Sequence, residues 1–328
     1  MFNTASTTPE KLLQMLAALL LFAAVLGVIL FIAGRLSGGK RGDKWVGYLY
    51  LLPVVLMLAV GLVYPGLRTI YESFFDAAGK AFVGVDNYKT IFTDKDQLTV
   101  LRNTVFWVVL TPFLATGIGL IYAILVDRSR FESFAKALIF LPMSISFVAA
   151  SVIWKFMYEY RPDQANVQQI GLINQVIVWL GGKPVQLLIE SPLNTFLLII
   201  VMIWIQAGFA MTVLSAAIKA IPDDIVEAAR LDGVNAWSMF RKITVPSVRP
   251  TIVVVLTTIG IGTLKVFDIV RTMTGGNFKT SVVANEFYSQ TFRADNQGLG
   301  AALAVLLFIL VIPVVAYNIR QVRQSEAR

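Results

Sequence analysis

The sequence predicts an all-α integral membrane protein with about seven transmembrane helices, and three observations carry that reading. The 328-residue chain is 57% hydrophobic and only 15% charged, with a mean hydropathy of +0.72. Its apolar runs recur at lengths that, at about 1.5 Å per residue, cross about 30 Å of hydrocarbon. Its basic residues collect in alternate connections, as they do when loops are sorted to two sides of a membrane.

In chain order the expected spans are Leu12–Ala33, Trp45–Tyr64, Thr104–Val126, Ala137–Tyr158, Leu193–Ala217, Val248–Phe267 and Leu299–Ile319. The first is too long for the apolar region of a cleaved signal and carries its positive flank behind it, so it is expected to remain as an anchor. Trp45, Tyr48, Tyr50 and Tyr64 stand near the ends of the second, where amphipathic rings prefer the interface. Connections 35–44, 127–136 and 218–249 and the tail 320–328 hold fifteen of the 28 Lys and Arg. The remainder are spread over about twice the length. The positive-inside rule therefore predicts a cytoplasmic C-terminus and an N-terminus outside.

Composition also excludes. Without Cys there is no disulfide or thiolate metal site. Without His the commonest general base and metal ligand is missing. No catalytic residue and no metal site is assigned. The formal charge of +8 follows from membrane topology and calls for no nucleic-acid partner.

Residues 218–247 are the polar stretch that the last spans enclose. Pro222 near the first helical position, with Asp223 and Asp224 in the first turn, marks a helix start. Gly233 supplies a stop, and Asn235 can cap a second short helix. That helix is expected to end at Pro246 and to carry an apolar face of Trp237, Phe240 and Ile243. Such a pair either lies on its own bundle and the lipid headgroups or docks into another protein.

The spacing EAAxxDGxxxxxxxxxIxxP, formed by Glu227, Ala228, Ala229, Asp232, Gly233, Ile243 and Pro246, resembles the coupling loop of bacterial ABC importer permeases. Further stretches resemble the sugar branch of that family: FVGVDNYKTIF (Phe82–Phe92), RNTVFW (Arg102–Trp107), LPMSIS (Leu141–Ser146), IKAIPDD (Ile218–Asp224) and FDIVRTMTGG (Phe267–Gly276). The resemblance spans about 45–320 and matches the larger permease type of maltose, trehalose and α-glucoside importers. GGNF at Gly275–Phe278 departs from that branch, which usually has a glycine–proline ending there.

The resemblance implies an extra N-terminal helix and linker (1–44), a permease domain (45–320) whose six helices form the importer core, a cytoplasmic coupling helix-turn-helix (218–247) and a tail (320–328). It implies a second homologous permease, a cytoplasmic ATPase dimer that uses ATP and Mg, and an extracytoplasmic sugar-binding protein as partners, besides membrane lipid. Glu227 would meet a basic residue of the ATPase, Ala228 and Ala229 would allow close approach, Gly233 would make the turn and Asp232 would hold it. This chain has no GxxxxGK[ST] phosphate loop, so it binds no cofactor of its own and ATP hydrolysis falls to separate subunits.

Candidate pathway residues are polar or small groups inside the spans, which are costly in lipid. Gln206 is the leading one, and the resemblance adds its neighbours Met202 and Ile205. Trp204 reads as a core or lipid-facing ring. Ser144 and Ser146 follow Pro142, which frees a carbonyl in mid-span; helix packing by small residues is the plainer reading. Thr111–Pro112 poses the same question. Gly260, Gly262 and Thr263 are expected to admit a neighbouring helix, and Lys265 and Asp268, at i and i+3, can pair. A neutral sugar needs hydrogen bonds and stacking, and no unpaired charge sits at a midplane. A self-sufficient secondary transporter or channel would place ionisable groups there, and a membrane enzyme would need clustered carboxylates or His.

Overall fold

The computed structural model describes residues 8–36, 42–127, 129–162 and 168–326. Lys40, Arg41, Arg128 and Arg328, which weigh in the predicted orientation, lie outside the described residues. Of the described residues 78% are helical. Among the described residues the sole β-type pairing is an isolated antiparallel bridge between Phe75 and Phe82.

The chain divides into two compact units, Met1–Arg68 and Thr69–Arg328. In the first, α1 (Thr8–Leu36) packs on α2 (Gly42–Leu58). A π-helical turn, Ala59–Val63, leads into α3 (Tyr64–Glu72), which crosses the unit boundary. Apolar side chains of α1 and α2, such as Leu20 and Met57, are exposed, as suits a lipid-facing helix.

The second unit contains α4 (Asp86–Thr93), α5 (Lys95–Val126), α6 (Glu132–Phe140), a 3-10 turn Leu141–Ser144, α7 (Phe147–Met157), α8 (Leu172–Trp179) and α9 (Leu193–Lys219). It continues with α10 (Asp223–Leu231), α11 (Ala236–Met239), a π-helical turn Phe240–Thr244, α12 (Val245–Leu264), α13 (Asp268–Met273), α14 (Val283–Phe292) and α15 (Gln297–Glu326). α9 is the central helix: it packs most extensively on α5 and also on α12 and α6. Leu198, Met202, Met211 and Leu214 of α9 lie in one core with Trp107 and Ala115 of α5 and Ile259 of α12.

Two glycines set close approaches to the central helix α9. A Cβ on Gly119 would stand 2.5 Å from Ala210 Cβ and 2.7 Å from the Met211 nitrogen, so α5 and α9 touch backbone to backbone there. A Cβ on Gly208 would stand 2.5 Å from the Ile139 carbonyl oxygen. The expected close approach at Gly260 and Gly262 is not seen within the chain. A Cβ at Gly260 would make an ordinary 3.7 Å contact with Pro112, and one at Gly262 would meet nothing.

Six helices among the described residues are long and apolar enough to span: Leu13–Arg35, Val46–Glu72, Lys95–Val126, Leu193–Lys219, Ala236–Leu264 and Gln297–Arg320. The fourth expected span, Ala137–Tyr158, is instead a helix pair, Glu132–Ser144 and Phe147–Met157, bent by 101°. Pro142 opens the 3-10 turn and removes a backbone donor. Ser146 then restarts the helix, its hydroxyl oxygen accepting from the Ala149 N–H at 3.2 Å.

Pro246 does not end the second polar helix as expected. The helix runs on from Ala236 to Leu264, because a π turn precedes the proline. The Val245 N–H bonds the Phe240 carbonyl, five residues back. The widened turn gives the pyrrolidine ring room and replaces the regular ladder where the proline donor is missing. The same device stands before Pro65, where the Tyr64 N–H bonds the Ala59 carbonyl.

Candidate functional site

The 218–247 stretch folds as helix, turn, helix. Asp223 and Asp224 occupy the first turn of α10, where carboxylates meet the positive end of the helix dipole. At its far end Gly233 has φ +74°. Its N–H bonds the Arg230 carbonyl at 3.0 Å, and the Val234 N–H reaches the Ala229 carbonyl at 3.1 Å. These are the two bonds of a Schellman motif, which needs a left-handed residue where glycine stands. Asn235 then caps α11, its side-chain oxygen accepting from the Ser238 N–H at 2.8 Å.

The turn sorts the motif residues into two sets. Ala229 is buried against the bundle, while Glu227, Ala228, Asp232, Gly233 and Pro246 are exposed and Ile243 is half-buried. Among the described residues the Glu227 carboxylate has no hydrogen-bond or ion-pair partner. Beside it Leu231 is 90% exposed and Trp237 67% exposed. Of the expected apolar face, Trp237 stays exposed, with its ring 5.4 Å from Phe240, while Phe240 and Ile243 turn partly inward. The helix pair thus carries an unpaired carboxylate together with exposed Leu and Trp side chains, a surface that water alone covers poorly.

A charge cluster that the sequence reading missed holds the start of this segment. Glu132, at the start of α6, takes Lys136 at 2.7 Å and Lys219, the last residue of α9, at 2.5 Å. Asp127 approaches Lys219 at 3.8 Å, and Lys136 also bonds Ser215. The 127–136 connection is thereby tied to the root of α10. A cavity of about 700 Å³ lies alongside, lined by Ile124, Lys219, Val226, Arg230, Met239 and Phe240 among others. The signal for the cluster was available only as charges in two separate connections.

The proposed pathway residues are not brought together as one site. Met202 and Ile205 are 1% and 3% exposed and sit in the core. Gln206 is half-exposed, and its amide has no partner among the described residues. Trp204 is half-buried in an edge-to-face contact with Trp154 at 5.7 Å. Ser144 and Ser146 are exposed at the 101° break. Thr263 is buried, its hydroxyl donating to the Ile259 carbonyl of its own helix at 2.7 Å. Thr111 is also buried, and its hydroxyl has no partner.

The expected Lys265–Asp268 pair does not form. α12 stops at Leu264, with Lys265 at its C-cap, and Asp268 opens α13. The i, i+3 rule holds within one helix, and here the chain turns between the two residues.

At the opposite end of the bundle, asparagine side chains fasten the connections. Asn103 donates to the Lys279 and Ser281 carbonyls at 2.7 and 3.0 Å. Asn194 donates to the Phe278 carbonyl at 2.9 Å. Asn87 donates to Ser73 and Phe75, and Asn174 to Glu159 and Val185. The GGNF departure is explained by the first two. Gly275, Gly276, Phe278 and Lys279 all have positive φ, and the carbonyls of the two strained non-glycine residues are held by Asn194 and Asn103.

Comparison with known proteins agrees with this architecture. The chain is 49% identical over 278 residues to the osmoprotective compounds uptake permease protein GgtC of Synechocystis sp., covering 85% of this chain and 99% of that one. It is 46% identical to the α-glucoside transport system permease protein AglF of Rhizobium meliloti, covering 85% and 83%. Its fold is similar to a chain in the crystal structure of a bacterial ABC transporter involved in the import of the acidic polysaccharide alginate. There the TM-score is 0.72 at 21% identity, over 86% of this chain and 96% of that one. Residues 115–323 match the family described as binding-protein-dependent transport system inner membrane component. This chain, a multi-pass membrane protein and a transport component rather than a catalytic enzyme, belongs to that family.

Proposed function

We propose that this chain forms half of the translocation pathway of an ATP-driven importer for a neutral di- or oligosaccharide, with α-glucosides such as maltose or trehalose as first candidates. A second homologous permease completes the pathway, an extracytoplasmic binding protein delivers the sugar, and a cytoplasmic ATPase dimer using ATP and Mg supplies the energy. The C-terminus and the 218–247 segment face the cytoplasm, and the N-terminus faces outward.

The carrying observation is the α10–α11 surface. An exposed, unpaired Glu227 shares α10 with exposed Ala228 and Leu231, and Gly233 and Asn235 fix the turn into α11, which carries exposed Trp237. A rigid, partly apolar plug with one free carboxylate suits a cleft that offers a cation and apolar walls. Closure of the ATPase dimer on ATP moves this plug. The Lys219–Glu132 contact carries the movement into α9 and α6, and the pathway alternates between outward and inward openings.

The sugar assignment draws on the α-glucoside relative and on Gln206, a neutral amide with free hydrogen-bonding capacity on α9. Uptake of radiolabelled maltose, trehalose and sucrose by the native host, with the chain deleted and restored, tests it. Uptake of at least one sugar that disappears on deletion and returns on restoration supports the reading; a full panel unaffected by deletion refutes it.

A further inference from the structure

We propose that the bundle end assigned above to the outside carries a separate carbohydrate subsite, walled by Lys155–Tyr160 on one side and Gln186–Ile189 on the other. The inference rests on the sugar reading and adds a place where the sugar is held before it enters the path. A cavity of about 280 Å³ lies between these walls, just below the range of ligand pockets, which begins near roughly 300 Å³.

Besides Tyr158, whose hydroxyl is bound to the Leu197 carbonyl, four polar side chains line it: Lys155, Glu159, Tyr160 and Gln186. Among the described residues none of the four has a hydrogen-bond or ion-pair partner through its side chain. Lys155 stands on α7 and Glu159 beyond its end, and the two do not pair. Lys155, Glu159 and Gln186 are exposed and Tyr160 half-exposed, so an ammonium, a carboxylate, an amide and a phenol stand uncommitted around a largely apolar cavity. One positive and one negative charge cancel, so the lining selects neither anions nor cations and suits a neutral polyhydroxylated ligand. The Tyr160 ring offers a face for sugar C–H groups.

The walls are held in register. Asn174 is fully buried, and its amide nitrogen donates to the Glu159 carbonyl at 2.8 Å and the Val185 carbonyl at 3.1 Å. The Val185 N–H returns a bond to the Asn174 side-chain oxygen at 2.8 Å. One amide therefore joins the segment that follows α7 to the segment that carries Gln186. Gly171 lies so close that a Cβ would stand 2.2 Å from the Glu159 oxygen. From below, Tyr158 is buried, with its hydroxyl donating to the Leu197 carbonyl at 3.2 Å and its ring 5.3 Å from Trp154. Charged side chains that merely reached for the interface would need no such clamp; a preorganised cavity does.

The test is direct binding to the intact transporter complex, purified from its native host into nanodiscs without the sugar-binding protein or ATP. Maltose and trehalose are the probes, and saturation-transfer NMR is the readout. The wild type is expected to give a signal for at least one sugar. The double variant Tyr160→Ala/Gln186→Ala, which alters only accessible side chains, is expected to weaken binding at least roughly fivefold, one hydrogen bond's worth. An unchanged signal in a well-folded variant overturns the subsite and leaves the sugar reading standing. A silent wild type also overturns the subsite, and the uptake assay then decides the sugar reading independently.

Discussion

The Lys219 ammonium donates to the Glu132 carboxylate at 2.5 Å, joining residues 87 positions apart. The contact fixes the end of the central helix α9 to the start of α6, immediately before α10 begins at Asp223. Because Lys136 shares the same carboxylate, Glu132 is the hub. Its side chain is 22% exposed and that of Lys219 51%, so solvent screens the pair and its stabilising value is small.

Glu132→Gln is therefore expected to lower the melting temperature of the purified chain only slightly, while Glu132→Lys, which brings three cations together, lowers it more. The same order is expected in uptake. Thermal unfolding followed by size-exclusion chromatography, alongside whole-cell uptake, checks both. Equal stability and uptake in all three proteins would remove the hub from the account.

Gly233 separates conformational from steric demands. No atom lies within 4 Å of a Cβ built there, yet its φ is +74°. Gly233→Val should cost about 1–2 kcal/mol in the turn and impair uptake. Gly233→Asn, which tolerates the left-handed region, should retain most of it. Equal loss in both would mean that the position matters for contact rather than backbone conformation.

Gly119→Ala places a methyl group against Ala210 and the α9 backbone. Overpacking of this kind costs about 1–3 kcal/mol, read as a lower melting temperature in detergent. Ala210→Gly in the same chain should recover part of the loss and no more, because the Met211 nitrogen remains in the way.

Gln206→Leu removes a free amide from α9 without disturbing the buried Met202 and Ile205. It should leave assembly intact and cut sugar uptake by about fivefold to tenfold, the value of one hydrogen bond. Transport unchanged across a sugar panel would take Gln206 out of the pathway.

Much of the architecture was legible because lipid imposes simple rules. Apolar length located the spans, and the Asp223, Gly233 and Asn235 signals located the first short helix, the turn and the start of the second helix. What escaped was cooperative. Pro246 reads as a stop in any linear scan, and the π turn that absorbs it depends on the backbone five residues earlier. Pro142 was legible as a break, but nothing local specified that the two halves turn by 101°. The Glu132–Lys219 contact and the asparagine clamps join positions far apart in sequence, and a lone Asn or Glu in a loop carries no sign of its distant partner. Met202, Ile205 and Gln206 show the limit for the pathway: neighbours on one helix face different surroundings, and the sequence alone does not say which face opens.

The central claim is that Glu227 and its neighbours dock an ATPase. The most direct measurement is co-purification from the native host: tag the chain, extract the membrane gently, and identify accompanying proteins by mass spectrometry, in wild type and in Glu227→Lys. The account predicts a P-loop ATPase with the wild type that is lost or strongly depleted with the variant. A chain that purifies without any ATPase and transports sugar in liposomes without ATP would contradict it.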